Sequence, residues 1–238
     1  MLAVTCQGPY NGYPMNRTRD FMPEPPSSDL WVRFVNTLVF THGRPSDEVA
    51  DADALIGWLR RARLLSDRAA SAERAHLRDD PDEAARRIER FHDLRDLIRT
   101  IATEVTATDQ VGRDNVRALN HILRHGLHYH QLEVSTDGTQ YGLARVGDRL
   151  DQARATIAGT MADFLAGRSV QQLRICANEG CVEIFIDRSP TGRRRWCDMR
   201  TCGNQAKAAR HRARLRQTSF PAAFPRSAPT LPAGSAAH

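Results

Sequence analysis

The chain has 238 residues, 41% hydrophobic and 26% charged, with a formal net charge of +6. That is room for one large domain, or a medium domain beside a small one, around a real apolar core. No run approaches the roughly 18 to 20 apolar residues of a membrane-spanning helix. The opening MLAVTCQGPYNGYPMNRTRD lacks a charged stretch followed by an apolar signal-type core, so a cytoplasmic protein with no membrane partner is expected.

In chain order, residues 1–28 carry Gly8, Pro9, Gly12, Pro14, Pro23, Pro25 and Pro26 with few apolar anchors, which predicts a flexible leader. Helical signals follow. Trp31, Phe34, Val35, Leu38 and Val39 recur at helical spacing, as do Leu55, Trp58 and Leu59. Asp80 ahead of Pro81 opens a longer helix with one apolar stripe of Ile88, Phe91, Leu94, Ile98, Ile101 and Val105. Another helix is expected over 115–124, closed near Gly126. The period then changes, because HYHQLEVSTDGTQYGLARV brackets the turn pair Asp137-Gly138 with strand formers and predicts a two-stranded ribbon. From Asp148 to Leu165 the spacing of Leu150, Ala153, Ile157, Met161 and Phe164 is helical again, with Gly167 as the stop.

The next stretch, CANEGCVEIFIDRSPTGRRRWCDMRTCGNQ, holds four of the five cysteines; the fifth, Cys6, falls in the leader and reads as a bystander. Cys176 and Cys181 form one CxxxxC pair, and Cys197 and Cys202 form a second. A reducing cytoplasm disfavours disulfides, and two local pairs of soft sulfur ligands converging across a hairpin suit one tetrahedral Zn²⁺. Four thiolates close the coordination shell, so the expected role is structural, with loss of zinc on thiol oxidation as an alternative use. Val182, Ile184 and Ile186 alternate as a strand face, SPTG turns the chain, and RRRWC is placed as the returning strand. QAKAARHRARLRQ after Cys202 is rich in helix formers. The tail 218–238 returns to the Pro- and Ala-rich pattern of the leader and is predicted flexible.

Charge is concentrated in the same place. Residues 168–217 contain twelve Lys and Arg against four Asp and Glu, while the rest of the chain is close to neutral. Only Lys207 among the 34 basic residues is lysine, a skew that mirrors GC-rich codon usage and suggests a bacterial source. Arg193, Arg194 and Arg195 follow the turn, Arg200 lies between the last two cysteines, and Lys207, Arg210 and Arg214 share a face of the terminal helix at i, i+3 and i+7. Guanidinium forks in a zinc-fixed module suit phosphate oxygens and base edges, so nucleic acid, with double-stranded DNA first and RNA as the alternative, is the expected partner. A solvated basic face is the plain alternative.

His121, His125, His128 and His130 are a separate group; histidines near a helix end commonly cap carbonyls, and a second metal site is the rival reading. Serine-nucleophile signatures, P-loops and GxGxxG stretches are absent, so no enzyme is expected.

The run RRRWCDMRTCGNQAKAARHRAR resembles the CGNR zinc-finger family, whose tetrapeptide here reads Cys202, Gly203, Asn204 and Gln205, with glutamine in place of the last arginine. FVNTL at 34–38 and ALIGWLRRARLL at 54–65 resemble the opening of the ABATE domain that precedes such fingers in stress-induced transcription regulators. The resemblance implies a DNA-binding regulator whose helical domain receives a small-molecule signal or mediates assembly, homo-oligomers included. A protein-interaction or thiol-redox zinc module is the alternative from another class. The expected fold class is α+β, mainly α: a helical domain with one β-hairpin over 29–167 and a small ββα zinc finger over 168–217.

Overall fold

The computed structural model describes residues 27–41, 44–134, 137–139, 141–167, 170–178 and 180–218, with two compact units that divide after Cys197. The leader to residue 26 and the tail from 219, Cys6 included, lie outside the described residues. No helix among them is long and apolar enough to cross a membrane.

In the first unit the elements run α1 (Leu30–Val35), β1 (Leu38–Thr41), β2 (Arg44–Asp47), α2 (Ala52–Arg61), α3 (Asp67–Asp79), α4 (Pro81–Thr108), α5 (Arg113–His125), β3 (Tyr129–Val134), β4 (Tyr141–Val146), α6 (Arg149–Ala166), β5 (Leu173–Ile175) and β6 (Ile184–Ile186). The strands form three antiparallel two-stranded ribbons. The fold is mainly helical with small ribbons, as the class anticipates.

The long helix α4 organises this unit. Asp80 accepts from the Glu83 N–H at 2.9 Å and Pro81 fills the first helical position, satisfying or avoiding donors that would otherwise be orphaned. Of the expected stripe, Phe91, Leu94, Ile98, Ile101 and Val105 are buried and Ile88 is half-buried. They pack against Trp31 and Phe34 of α1, Trp58 of α2 and Ile157 and Met161 of α6 in one core. Phe34 sits at its centre, with ring centroids 5.3 Å from Trp58 and 6.1 Å from Phe91 in edge-on geometry. Asp51, Ser66 and Asp148 cap α2, α3 and α6 through the same kind of side-chain acceptor.

Two expectations are corrected. The helical run from Trp31 ends at Val35, and Leu38 and Val39 belong to β1. The Thr37 hydroxyl donates to the Phe34 carbonyl at 2.8 Å, and the Asn36 amide is engaged far along the chain, so local polar bonds outcompete further helix. The β1–β2 ribbon that follows pairs Leu38 with Asp47 and Phe40 with Pro45, a proline tolerated because β2 is an edge. The second correction is that 29–167 holds two ribbons, β1–β2 and β3–β4, where the sequence reading expects one hairpin. Helix α3 has no counterpart in that reading, since only Ala70 and Leu77 of its thirteen residues are buried and no apolar period marks it.

The β1–β2 ribbon is fixed to α4 by a charge pair between half-buried Asp47 and buried Arg95. Arg95, 4% exposed, donates both terminal nitrogens to Asp47 at 2.7 Å each and one to Thr37 at 3.2 Å. Burial pushes the Asp47 carboxyl up, but hydrogen bonds from Arg95 and the Val49 N–H, with the charges of Arg95 and His92, hold it below the ordinary value. Removing one partner strands the other in a dry place. Asp47→Ala is therefore expected to cost about 3 kcal/mol or more in a urea titration. A carboxyl held low when folded stabilises above its unfolded pKa and loses that contribution as pH falls through the folded one. Acid titration should show this loss below about pH 4, and Asp47→Asn should flatten that part of the profile.

Candidate metal centre and basic segment

The first half of the cysteine cluster grows out of the helical core. Leu173 on β5 and Ile184 on β6 are each 1% exposed and belong to that core. Leu173 pairs with Ile186 and Ile175 with Ile184. The ribbon is thus closed by residues 173–175, ahead of Cys176. The expected partner, RRRWC, runs without strand structure, which corrects the sequence reading. The apolar alternation of β5 suits the buried side of β6 as three arginines do not. Directly after β6 comes Asp187, 2% exposed, whose carboxylate accepts from the Ser189 N–H at 3.0 Å and the Arg194 N–H at 2.8 Å. A hydrogen bond from the Ser189 side chain, followed by the Arg194 and Ser189 N–H bonds, holds its carboxyl below the ordinary range. Between them the Ser189–Gly192 turn closes with a Gly192 N–H to Ser189 carbonyl bond at 3.1 Å and φ of +59° at Gly192.

Three side-chain contacts clamp this ribbon to α1 and α4. The Asn36 amide donates to the Ile184 carbonyl at 2.7 Å and accepts from its N–H at 3.0 Å. Arg99 on α4 donates to the carbonyls of Val182 at 2.7 Å and Val35 at 2.8 Å. Arg188 meets Asp29 at 2.6 Å. Sequence reasoning misses all three; the only available signal is a polar Asn36 inside the apolar run FVNTL.

The cysteines follow from this frame. The Cys176 N–H donates to the Glu183 carbonyl at 2.9 Å, and the Cys181 N–H to the Asn178 carbonyl at 2.8 Å, which folds the first pair into a tight knuckle. The Ala177 N–H donates to the Arg195 carbonyl at 2.8 Å, which leads the chain back toward Cys197. In the second unit, a wide turn over Met199–Gly203 begins at Asp198, whose carboxylate accepts from the N–H groups of Arg200 and Thr201 at 2.6 and 3.1 Å. The Asn204 amide caps the Arg200 carbonyl at 2.9 Å. A Cβ on Gly203 would stand 3.0 Å from the Met199 sulfur, the far end of an exposed side chain.

The four sulfur atoms of Cys176, Cys181, Cys197 and Cys202 all lie within 4.8 Å of one another, and none is in a disulfide. Cys181 and Cys197 are 3.8 Å apart, which is about the edge of a tetrahedron with 2.3 Å zinc–sulfur bonds. The donor set and spacing fit one structural Zn²⁺. All-thiolate coordination leaves no position for a reacting water, so the ion would supply rigidity rather than chemistry.

Around this centre the basic residues differ in what they do. Arg194 is exposed yet tied to its own segment: its Nε donates to the Trp196 carbonyl at 3.0 Å, a terminal nitrogen to the Cys197 carbonyl, and its guanidinium lies 5.1 Å from the Phe185 ring centre. Arg195 stacks over half-buried Trp196 at 5.2 Å. Arg193, Arg195 and Arg200 are exposed as well. Helix α7 (Asn204–Thr218) is exposed from Lys207 through Arg216, Arg210 and Arg214 included. It carries no apolar face and no acidic residue. Among the described residues the histidines form no metal-type group: His125 Nδ1 meets the His121 carbonyl at 2.8 Å within α5, and the four-cysteine cluster is the only group of metal-type side chains found there. The His130 side chain lies outside what is described.

Four sulfurs on two knuckles at the end of a helical domain define a zinc-finger protein built from ribbon, turn and helix. Residues 172–215 match the CGNR zinc finger, and residues 28–168 match the ABATE domain, described as a "putative stress-induced transcription regulator". The chain belongs to the ABATE family and carries a CGNR zinc finger. Neither is an enzyme family. No curated protein matches the chain.

Elemental analysis of the intact protein should give one zinc per chain. Cys176→Ser or Cys202→Ser should lower zinc affinity by more than about 100-fold, since even groups behind metal ligands are worth about 10- to 100-fold.

Proposed function

We propose that the protein is a DNA-binding transcription regulator in which Cys176, Cys181, Cys197 and Cys202 ligate zinc, the finger (168–217) engages double-stranded DNA, and the helical domain (29–167) receives the signal. The observation that carries this reading is α7. A fifteen-residue helix with no buried face is marginal by itself. It presents Lys207, Arg210, Arg212, Arg214 and Arg216 without a single carboxylate, directly after the last cysteine. A polyanion supplies the counter-charge that the helix itself lacks.

Arg193, Arg195, Arg200, Lys207, Arg210 and Arg214 are the proposed contacts. Arg194 acts through the fold of its segment, because its donors already hold the Trp196 and Cys197 carbonyls. Asn204 retains its turn-capping role, so Gln205 in place of the family arginine changes a surface contact and leaves the metal site intact.

Fluorescence anisotropy of the intact zinc protein on a DNA duplex tests the reading. Six phosphate contacts give a slope of log K against log salt of about −5. Arg210→Ala with Arg214→Ala should reduce it by about 2 while zinc content stays unchanged. Affinity indifferent to salt and to both substitutions would contradict the proposal, and preference for an RNA of equal charge would redirect it to RNA.

A further inference from the structure

A cavity of about 510 Å³ lies among α4, α5 and α6, well away in sequence from the cysteines. Its size is within the range of about 300 to 1,000 Å³ typical of small-molecule sites. Leu97, Ala118 and Ile122 give it an apolar wall, and His121 and His125 stand side by side along α5 with ring centroids 4.3 Å apart. Arg90 and Arg154 supply charge, opposed by one exposed lining carboxylate, Asp93.

Arg154 is the informative residue. It is only 9% exposed, yet its one ion-pair partner among the described residues, Asp151, is 3.4 Å away on the preceding turn. That carboxylate is also approached by Arg87 at 3.5 Å and Arg90 at 3.8 Å. The Arg154 Nε has no acceptor among the described residues. A guanidinium carries five N–H donors, and burying them short of acceptors is costly. Burial first, and then the charges of Arg90 and Arg87, push its pKa down against the pull of Asp151 and Asp93. The site is therefore short of negative charge at its buried end and apolar along its wall.

We propose that this cavity binds a small organic carboxylate, with the carboxylate on Arg154 and Arg90 and the apolar body against Leu97, Ala118 and Ile122. The two histidine rings provide further polar contacts beside it. A charge-assisted, two-pronged contact of this kind is what guanidinium geometry favours. As the signal that the regulator receives, the ligand rests on the function proposed above; as a binding event it does not.

Calorimetric titration of the intact zinc protein, without nucleic acid, tests the site with benzoate and hexanoate as probes and benzamide and hexanamide as neutral controls of the same shape. Saturable binding of a carboxylate and not of its amide is expected. Arg154→Met should weaken it by about 10-fold or more, the worth of a charge-assisted hydrogen bond. Since that buried change can harm folding, Arg90→Gln and Ala118→Phe, both at exposed positions, provide the second reading, with the phenylalanine expected to fill the cavity and abolish binding. No saturable binding of either carboxylate, equal binding of the amides, or affinity unchanged in both exposed variants overturns the proposal. Either failure leaves DNA binding untouched, and failed DNA binding leaves this titration unaffected.

Discussion

The amide of Asn36 holds the backbone of Ile184 from both sides, across 148 residues of sequence. Ile184 is buried, and neither of its backbone groups has water to turn to if that side chain is lost. Arg99 repeats the pattern one step away by joining Val35 of α1 to Val182 of the ribbon segment. Through these bonds the strand that precedes Cys176 and the strand that follows Cys181 become part of the helical core. The first pair of cysteines is therefore positioned by α1 and α4, and not by a free-standing finger.

This arrangement links composition to purpose. An apolar ribbon, a glycine turn and an Asx-capped turn bring sulfur ligands together, and arginines at fixed offsets from those ligands inherit their order. Arg194 is consumed in the process. The guanidiniums of Arg193, Arg195 and Arg200, and a helix that is basic all round, are left facing solvent. Structural metal and electrostatic surface are thus consequences of one short segment of chain.

Much of this was legible in the sequence because it depends on local chemistry. The CxxxxC pairs named the metal, Asp80-Pro81 and the following stripe marked α4, Asp137-Gly138 marked a ribbon whose Gly138 takes φ of +72°, and Gly167 closed α6. What escaped depends on partners distant in the chain. Leu38 and Val39 continue a helical spacing that Thr37 interrupts, and the true partner of β6 lies ahead of all four cysteines instead of between the two pairs. Asn36, Arg99 and Arg154 carry no local signature at all. In a chain with one lysine among 34 basic residues, an arginine that is buried looks in sequence like any other.

If the ribbon and the helical core are one body, removing zinc must be felt in α1 and α4. Hydrogen exchange of the intact protein before and after chelation measures this directly. Peptides covering residues 30–38 and the middle of α4, together with β6, should lose protection when the metal is withdrawn. Unchanged protection at those residues after complete zinc removal would contradict the account.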